Sequence, residues 1–419
     1  MAHDITIADI EAARTRFGSF VRRTPLLPSS SLGRLTGGEV WLKAESLQHT
    51  GSFKVRGAMN RIALLSPDER RRGVVAASAG NHAQGVAVAA RAHGVGATIV
   101  MPVTTPLAKV EATRGYGADV VLCGDSYECA HSEAERIARD RGLTMIPAYD
   151  DAAVIAGQGT LGLEIVEDLP DVDLVLVPVG GGGLAAGIGV ALRAKAPAAR
   201  IVGVQVEAAP GVARSLEARA LHPVPPAPTI AEGVAVAGPG EITFPLLRRV
   251  LDGVVLVGED DVAQAIVYLL ERAKLVVEGA GAVGVAALLS GLAPVKGQRV
   301  VALLSGGNVD INMLARVVEH GLMRAGRYFS LTVGMDDRPG QLAELAELIA
   351  GTGANVLSVA HHRFGIALPV GRVEVVLLLE VRNRDHGVEV ERALAAHGFV
   401  RNAEAGPQFV PADWVQGRP

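Results

Sequence analysis

Seven short, nearly unbroken apolar runs recur between residues 39 and 305. They are EVWLK (39–43), GVVAAS (73–78), ATIVM (97–101), DVVLC (119–123), DLVLVPV (173–179), RIVGVQV (200–206) and RVVALLS (299–305). Runs of this length, rich in β-branched residues, suit strands buried on both faces. Helical patterns separate them, over 81–93, 107–116, 127–141, 184–195 and 262–273. A strand that must be covered on both faces and is followed by a helix predicts an α/β fold. Its sheet is mainly parallel, with right-handed crossovers. The 419 residues, 49% of them hydrophobic, are enough for two or three domains with sizeable cores.

The pattern changes near Gly326. From there the chain reads strand (RYFSLTVGM), loop (DDRPG), helix, strand (ANVLSVAHHR), strand (RVEVVLLLEVR), helix (HGVEVERALAAHG) and a short strand near Phe399. That is βαββαβ, a small α+β unit of the ferredoxin-like kind. The boundary is expected at about 322–328. It separates a main unit over 1–323 from a small unit over 326–402, with a tail containing Pro and Gly over 403–419.

Charge and composition exclude several functions. The net charge is −4 (Lys+Arg 40, Asp+Glu 44), so no basic footprint for nucleic acid or an anionic membrane exists. The uncharged stretch 174–192 contains Pro178 and four consecutive glycines, which reads as strand, loop and helix rather than a membrane span. The N-terminal segment carries acids where a signal peptide needs a basic region. It reads as a helix capped by Thr6 and Asp9. Cys123 and Cys129 form no CxxC, so a reduced, cytoplasmic setting is expected. Fifty glycines beside 4% aromatics point to tight turns and close backbone approach.

Four segments carry chemistry. In KAESLQHTGSFKVRGA (43–58), Lys54 opens a helix after Gly51 and Ser52. The positive end of the helix dipole disfavours an ammonium there and favours a nucleophilic amine. The same lysine can equally be an exposed residue of a first turn. SAGNHAQGVA (78–87) follows a buried strand, where open α/β sheets bind ligands. Its amides suit a carboxylate, and Asn81 suits a phenol-like oxygen or an amide. His82 is as readily a structural residue as a general base. VPVGGGGLAAG (177–187) exposes backbone amides at a helix start, a nest for a monophosphate. It has neither the GK[ST] of a Walker loop nor a dinucleotide fingerprint. LLSGGNVD (303–310) ends the last long strand with Ser305, a partner for a ring nitrogen or a plain helix cap.

A lysine for an aldehyde, an asparagine for a ring oxygen, a glycine cup for a monophosphate and a serine for a ring nitrogen match one ligand, pyridoxal 5′-phosphate. With these segments, MP-x₂-TP-x₂-K-x₂-ATR (101–114), VIAGQGT (154–160) and TIAEGVAV (229–236) stand in order. The chain resembles the fold type II (β-family) pyridoxal-phosphate enzymes, and within them the threonine/serine dehydratases, over about residues 5–323. The fold implied is a two-lobed parallel-sheet catalytic unit, with a small lobe over about 48–145. DDRPGQLAELAELIAGTGANV (336–356) resembles the start of an ACT domain, a small-molecule sensor.

The resemblance implies roles. Lys54 would hold the cofactor as a Schiff base and then take the substrate Cα proton. Phe53 would flank the cofactor, Asn81 would bond its ring oxygen, Gly180, Gly181, Gly182 and Gly183 would hold its phosphate, and Ser305 would face its pyridine nitrogen. Ser78, Ala79, Asn81 and His82 would surround the substrate carboxylate. The cofactor phosphate is the family's usual acid for the departing hydroxyl. Glu278 matches an active-site-side glutamate. Tyr149 lies in Pro147-Ala148-Tyr149-Asp150-Asp151, where the family often has His-Pro-aromatic-Asp-Asp. Glu207 matches a metal-binding glutamate of some relatives, but its aspartate partner is replaced by Ala213, so no metal is expected. Related serine racemases carry serine where this chain has Ala79, so elimination is expected over racemisation.

The implied reaction is the elimination of water from L-threonine, giving 2-oxobutanoate and ammonia, and from L-serine as well. Serine or 3-hydroxyaspartate as main substrate, or a non-catalytic amino-acid sensor, are the competing readings. A homodimer or homotetramer is implied. So is a branched-chain amino-acid effector at the ACT-like unit.

Overall fold

Each of the seven apolar runs forms a strand in the computed structural model, which describes residues 5–324, 326–363 and 370–401. The chain divides into two compact units, one ending at Asp310 and the other starting at Ile311.

The first unit holds ten strands: β1 (Leu26–Pro28), β2 (Glu39–Ala44), β3 (Val74–Ala77), β4 (Ala97–Met101), β5 (Asp119–Leu122), β6 (Thr144–Met145), β7 (Leu174–Pro178), β8 (Arg200–Val206), β9 (Gly253–Val257) and β10 (Arg299–Leu304). They form two sheets. The larger has the order β1-β2-β10-β7-β8-β9 and is parallel except where β1 runs against β2. The smaller, β5-β4-β3-β6, is wholly parallel. Every residue of β3, β4 and β7 is buried, which is why those runs show no alternation. The sequence reading did not mark β1, β6 and β9. The first two have three and two residues, and β9 is a half-buried edge.

Glycine lets the helices of this unit cross at backbone distance. A Cβ at Gly57 would stand 2.7 Å from Val154 Cγ1, and one at Gly157 would stand 2.6 Å from the carbonyl of Arg56. The helix Lys54–Ala63 is thereby pressed onto the helix Ala152–Asp168. The latter meets the helix Gly183–Lys195 in the same way, through Gly159 and Gly187. Thr6 and Asp9 form the expected capping box at the first helix. No helix among the described residues is long and apolar enough to cross a membrane.

The second unit starts with the helix Ile311–Arg324. The sequence pattern put the boundary at 322–328, because that helix continues the α/β rhythm and the change of period comes only after it. The contacts group it with the C-terminal unit, so the division falls at 310/311. Next come β11 (Tyr328–Asp336), the helix Gln341–Thr352, β12 (Asn355–His362), β13 (Arg372–Glu380), the helix Arg384–Ala396 and β14 (Val400–Arg401). The sheet is antiparallel, in the order β12-β13-β11-β14. Burial alternates along β13, where Val373, Val375, Leu377 and Leu379 point inward against Leu345, Ile349, Val390 and Leu394. The tail 403–419 lies outside the described residues.

Candidate active site

The chemistry-bearing segments leave the carboxyl ends of neighbouring strands. Ser305 follows β10, the tetraglycine follows the adjacent β7, and Ser78 to Asn81 follow β3 of the small sheet. Backbone bonds stitch the first segment to the lysine loop. The Phe53 amide donates to the Ser305 carbonyl (3.1 Å), the Gly307 amide to the Gly51 carbonyl (2.9 Å), and Ser52 bridges Gly306. Lys54 is the first residue of its helix, one position beyond this seam. Its Nζ lies 5.2 Å from the Phe53 ring centroid.

Lys54 Nζ donates to the Ala148 carbonyl at 2.9 Å. The next residue, Tyr149, lies against the tetraglycine. A Cβ at Gly181 would meet its ring carbons at 2.5 Å, and one at Gly183 would meet its carbonyl at 2.8 Å. Asp150 then anchors the strap by accepting from the amides of Ile242 (2.9 Å) and Thr243 (3.0 Å). The departure from the family pattern at 147–151 thus falls in the loop that joins the lysine to the glycines. Gly182 has φ +92°, where a side chain is strained. The amides of Gly180 to Gly183 donate to no backbone carbonyl among the described residues, so all four remain available to an anion.

Asn81 begins the helix Asn81–Ala92 and reaches the large lobe: its Nδ2 donates to Glu278 Oε1 at 2.6 Å. Glu278 is fixed in turn by its amide, which donates to the Gly306 carbonyl at 3.0 Å. Lys54, Phe53, Asn81, Ser305, Glu278, Tyr149 and the four glycines therefore come together. Ser78 accepts from the Gly80 amide (3.2 Å) and shapes the turn before Asn81. Ala79, in that turn, is half-buried. His82 is buried and bonded to the backbone. Its Nε2 lies 2.8 Å from the Ile146 carbonyl, which can only accept, so Nε2 carries the proton. Burial first, then Lys54, pushes its pKa down to about 3, and the ring stays neutral. Glu207 is exposed and apart from this cluster. Among the described residues no group of His, Cys, Asp or Glu could hold a metal ion.

Lys43 is fully buried and Lys54 half-buried, and their partners differ. Lys43 is paired with Glu164 (2.7 Å) and Asp168 (3.5 Å). Lys54 has no carboxylate partner within ion-pair distance among the described residues. Burial pushes its pKa down to about 8, against a pull upward from Glu278. Desolvation thus favours its free amine, in the same direction as the helix dipole. Lys109 and Lys195 also sit in ion pairs, with Glu232 and Glu11.

The sequence reading missed a buried charge network behind the lysine helix. Arg56 donates from Nε to Glu45 Oε2 (2.9 Å) and from Nη1 to Glu164 Oε1 (2.6 Å) and Thr160 Oγ1 (3.1 Å). Thr24 donates to Glu45 as well (2.6 Å). The signal that could have found it is a Lys and a Glu flanking the end of the apolar strand, in WLKAE.

The residues fit pyridoxal phosphate. The buried Asn81 Oδ1 has no protein partner, four amides are open, the buried Ser305 follows β10, and an amine is uncompensated. A lysine set apart in this way, beside an anion nest at the ends of parallel strands, defines the class of pyridoxal-phosphate enzymes with two α/β lobes. The family model described as "Pyridoxal-phosphate dependent enzyme" matches residues 18–306, and the chain belongs to that family. It is 50% identical to an L-threonine ammonia-lyase of Thermotoga maritima over 94% of this chain and 98% of that protein. Among solved structures it is similar to the processed threonine deaminase isoform 2 of Solanum lycopersicum. That match has 38% identity and TM-score 0.72, over 76% of this chain and 87% of that one. Maize serine racemase matches at 34% identity and TM-score 0.71, over 75% and 98%.

Proposed function

We propose that the protein is a threonine ammonia-lyase that converts L-threonine to 2-oxobutanoate and ammonia, and L-serine to pyruvate more slowly. The observation that carries this reading is the half-identity to a threonine ammonia-lyase along almost the whole of both chains. Pyridoxal phosphate, held by Lys54 in the resting protein and released from it when the substrate amine takes its place, would supply the electron sink that acidifies the substrate Cα–H. The chain's own residues do the rest. The Lys54 amine, deprotonated readily because it is buried and unpaired, takes the Cα proton on one face. The tetraglycine amides hold a phosphate, and the amides of Ser78 to His82 hold the substrate carboxylate. Ala79 has no group that can move a proton, so nothing in that loop position returns one to the opposite face. Loss of the β-hydroxyl as water leaves an enamine, which takes up water and releases ammonia, so the atoms balance.

Two-oxo acid formation from L-threonine, L-serine and 3-hydroxyaspartate tests the reading. L-threonine should show the highest kcat/KM. A higher value for either competitor refutes it, and so does D-serine forming from L-serine faster than pyruvate. Protein that stays colourless after addition of pyridoxal phosphate would favour a sensor.

The C-terminal unit fits an ACT-like regulatory domain. Its βαββαβ order and the turn at Gly340 (φ +93°), which opens the helix Gln341–Thr352, support that assignment. Isoleucine or valine should then shift the threonine concentration for half-maximal rate. Gly340→Val should abolish that shift without altering kcat, and an unresponsive wild type refutes it. A homodimer or homotetramer in the cytoplasm completes the reading, in keeping with Cys123 and Cys129 as free thiols. Sedimentation equilibrium checks the assembly.

A further inference from the structure

Glu278 lies half-buried against Asn81, and the chemistry above gives it no task. It stands at the start of the helix Gly279–Leu289 in the large lobe and reaches Asn81 of the small lobe at 2.6 Å. The contact is built for closeness. A Cβ at residue 306 would collide with Glu278 Oε1 and stand 3.2 Å from Asn81 Nδ2, so glycine there is what admits the pair. At the other end of the same amide, Asn81 Oδ1 is buried and has no partner.

An amide has one donor end and one acceptor end, whereas an ionised carboxylate only accepts. Ionised Glu278 therefore holds Nδ2 towards itself and leaves Oδ1 facing the cofactor side. A protonated carboxyl can donate to Oδ1. The amide can then turn by half a revolution and offer both N–H groups of Nδ2 to the cofactor side. We propose that Glu278 is a positioning residue whose proton decides which end of the Asn81 amide faces the cofactor's ring oxygen, and thereby whether that oxygen is held ionised or protonated. The proposal rests on the reading that Lys54 and Asn81 hold pyridoxal phosphate.

The charged groups around Glu278 place the change near neutrality. Burial pushes its carboxyl up to about 7. The Asn81 bond, Lys109 and Lys54 pull it down, and Glu232 pushes it up. Lys109 and Glu232 pair with each other at 3.1 Å and so offset one another. The proton that moves is exchanged with solvent, and no other bond changes.

The sign follows. Below the midpoint the protonated carboxyl frees the Asn81 N–H groups, which stabilise an ionised ring oxygen and the yellow band. Above it the freed Oδ1 favours a protonated ring oxygen and the near-ultraviolet band. The test is an absorbance titration of the cofactor-loaded full chain, wild type against Glu278→Gln. For a single group, the protonated fraction falls from about nine-tenths to about one-tenth across two pH units. The wild-type ratio of yellow to near-ultraviolet absorbance should fall along that curve, and E278Q should stay flat while remaining loaded. Identical titrations in the two proteins, or a flat wild type, overturn the proposal while leaving the cofactor reading intact. A wild type that takes up no cofactor overturns both. Should E278Q fail to fold, Glu278→Asp decides. Its carboxyl is drawn back from Asn81, so the midpoint should move by about half a unit or more, and an unmoved midpoint overturns the proposal.

Discussion

Gly181→Ala isolates the packing role of the tetraglycine from its role as a set of amides. Gly181 does not have a positive φ, so alanine brings no backbone strain there, unlike at Gly182. The new Cβ would stand 2.5 Å from ring carbons of Tyr149. Carbon atoms prefer about 3.5–4 Å, so the ring must retreat by roughly 1 Å. The strap cannot follow as a body. Ala148 is held by Lys54, Asp150 by the amides of Ile242 and Thr243, and the Tyr149 backbone already lies against Gly183. Overpacking of this kind costs about 1–3 kcal/mol. If the glycine loop yields instead of the ring, the phosphate cradle distorts and cofactor affinity falls by roughly 5- to 150-fold. The assay is fluorescence titration of the cofactor-free protein with pyridoxal phosphate, paired with urea unfolding, for G181A, Y149A and the double variant. Removing the ring should recover most of the G181A loss, with a coupling of about 1 kcal/mol or more. G181A within twofold of wild type in affinity, with an unchanged urea midpoint, would refute the packing argument, and so would strictly additive losses.

Two further outcomes follow from burial. Because Lys54 is pushed down to about 8, its free-amine fraction rises with pH and saturates just above that value. Cofactor uptake by the cofactor-free protein, followed by stopped-flow absorbance, should rise about tenfold per pH unit below 7 and level off near 9; a rate still climbing at that slope above pH 9 contradicts it. Arg56→Ala leaves Glu45 buried without a counter-ion and Glu164 with Lys43 alone, which should cost about 3–5 kcal/mol in urea unfolding. A loss below about 1 kcal/mol would show that the network is relaxed by water.

The strands and the turns that follow them were legible because their signals are local. An apolar run ending in Ser78-Ala79-Gly80-Asn81 or in four glycines carries its strand, its turn and its helix start within a dozen residues. Tertiary pairings were not legible. Glu278 meets Asn81 across 197 positions and Glu164 meets Arg56 across 108, and a charged residue in a sequence looks like surface until its partner is placed. His82 shows the same limit from the other side. Its place in the motif suggests a proton carrier, and only the Ile146 carbonyl shows that the ring is occupied and neutral.

Lys43 and Lys54 show how one framework makes an ion-paired lysine and an unpaired one. Burying an ammonium is costly unless a carboxylate compensates it. At Lys43 the protein supplies Glu164 and Asp168. At Lys54 it withholds the carboxylate, supplies only the Ala148 carbonyl, and the amine is left ready to lose its proton. An uncompensated lysine would escape to solvent from a loosely held helix. The helix of Lys54 is instead clamped at Gly57 against Val154, at Gly85 against the backbone of Lys54 itself, and at Arg56 by two buried carboxylates. Glu164 serves both ends, pairing with Lys43 and with Arg56. The charge pairs that satisfy one lysine therefore hold in place the helix on which the other is left unsatisfied, and the lowered pKa of Lys54 is a property of that whole framework.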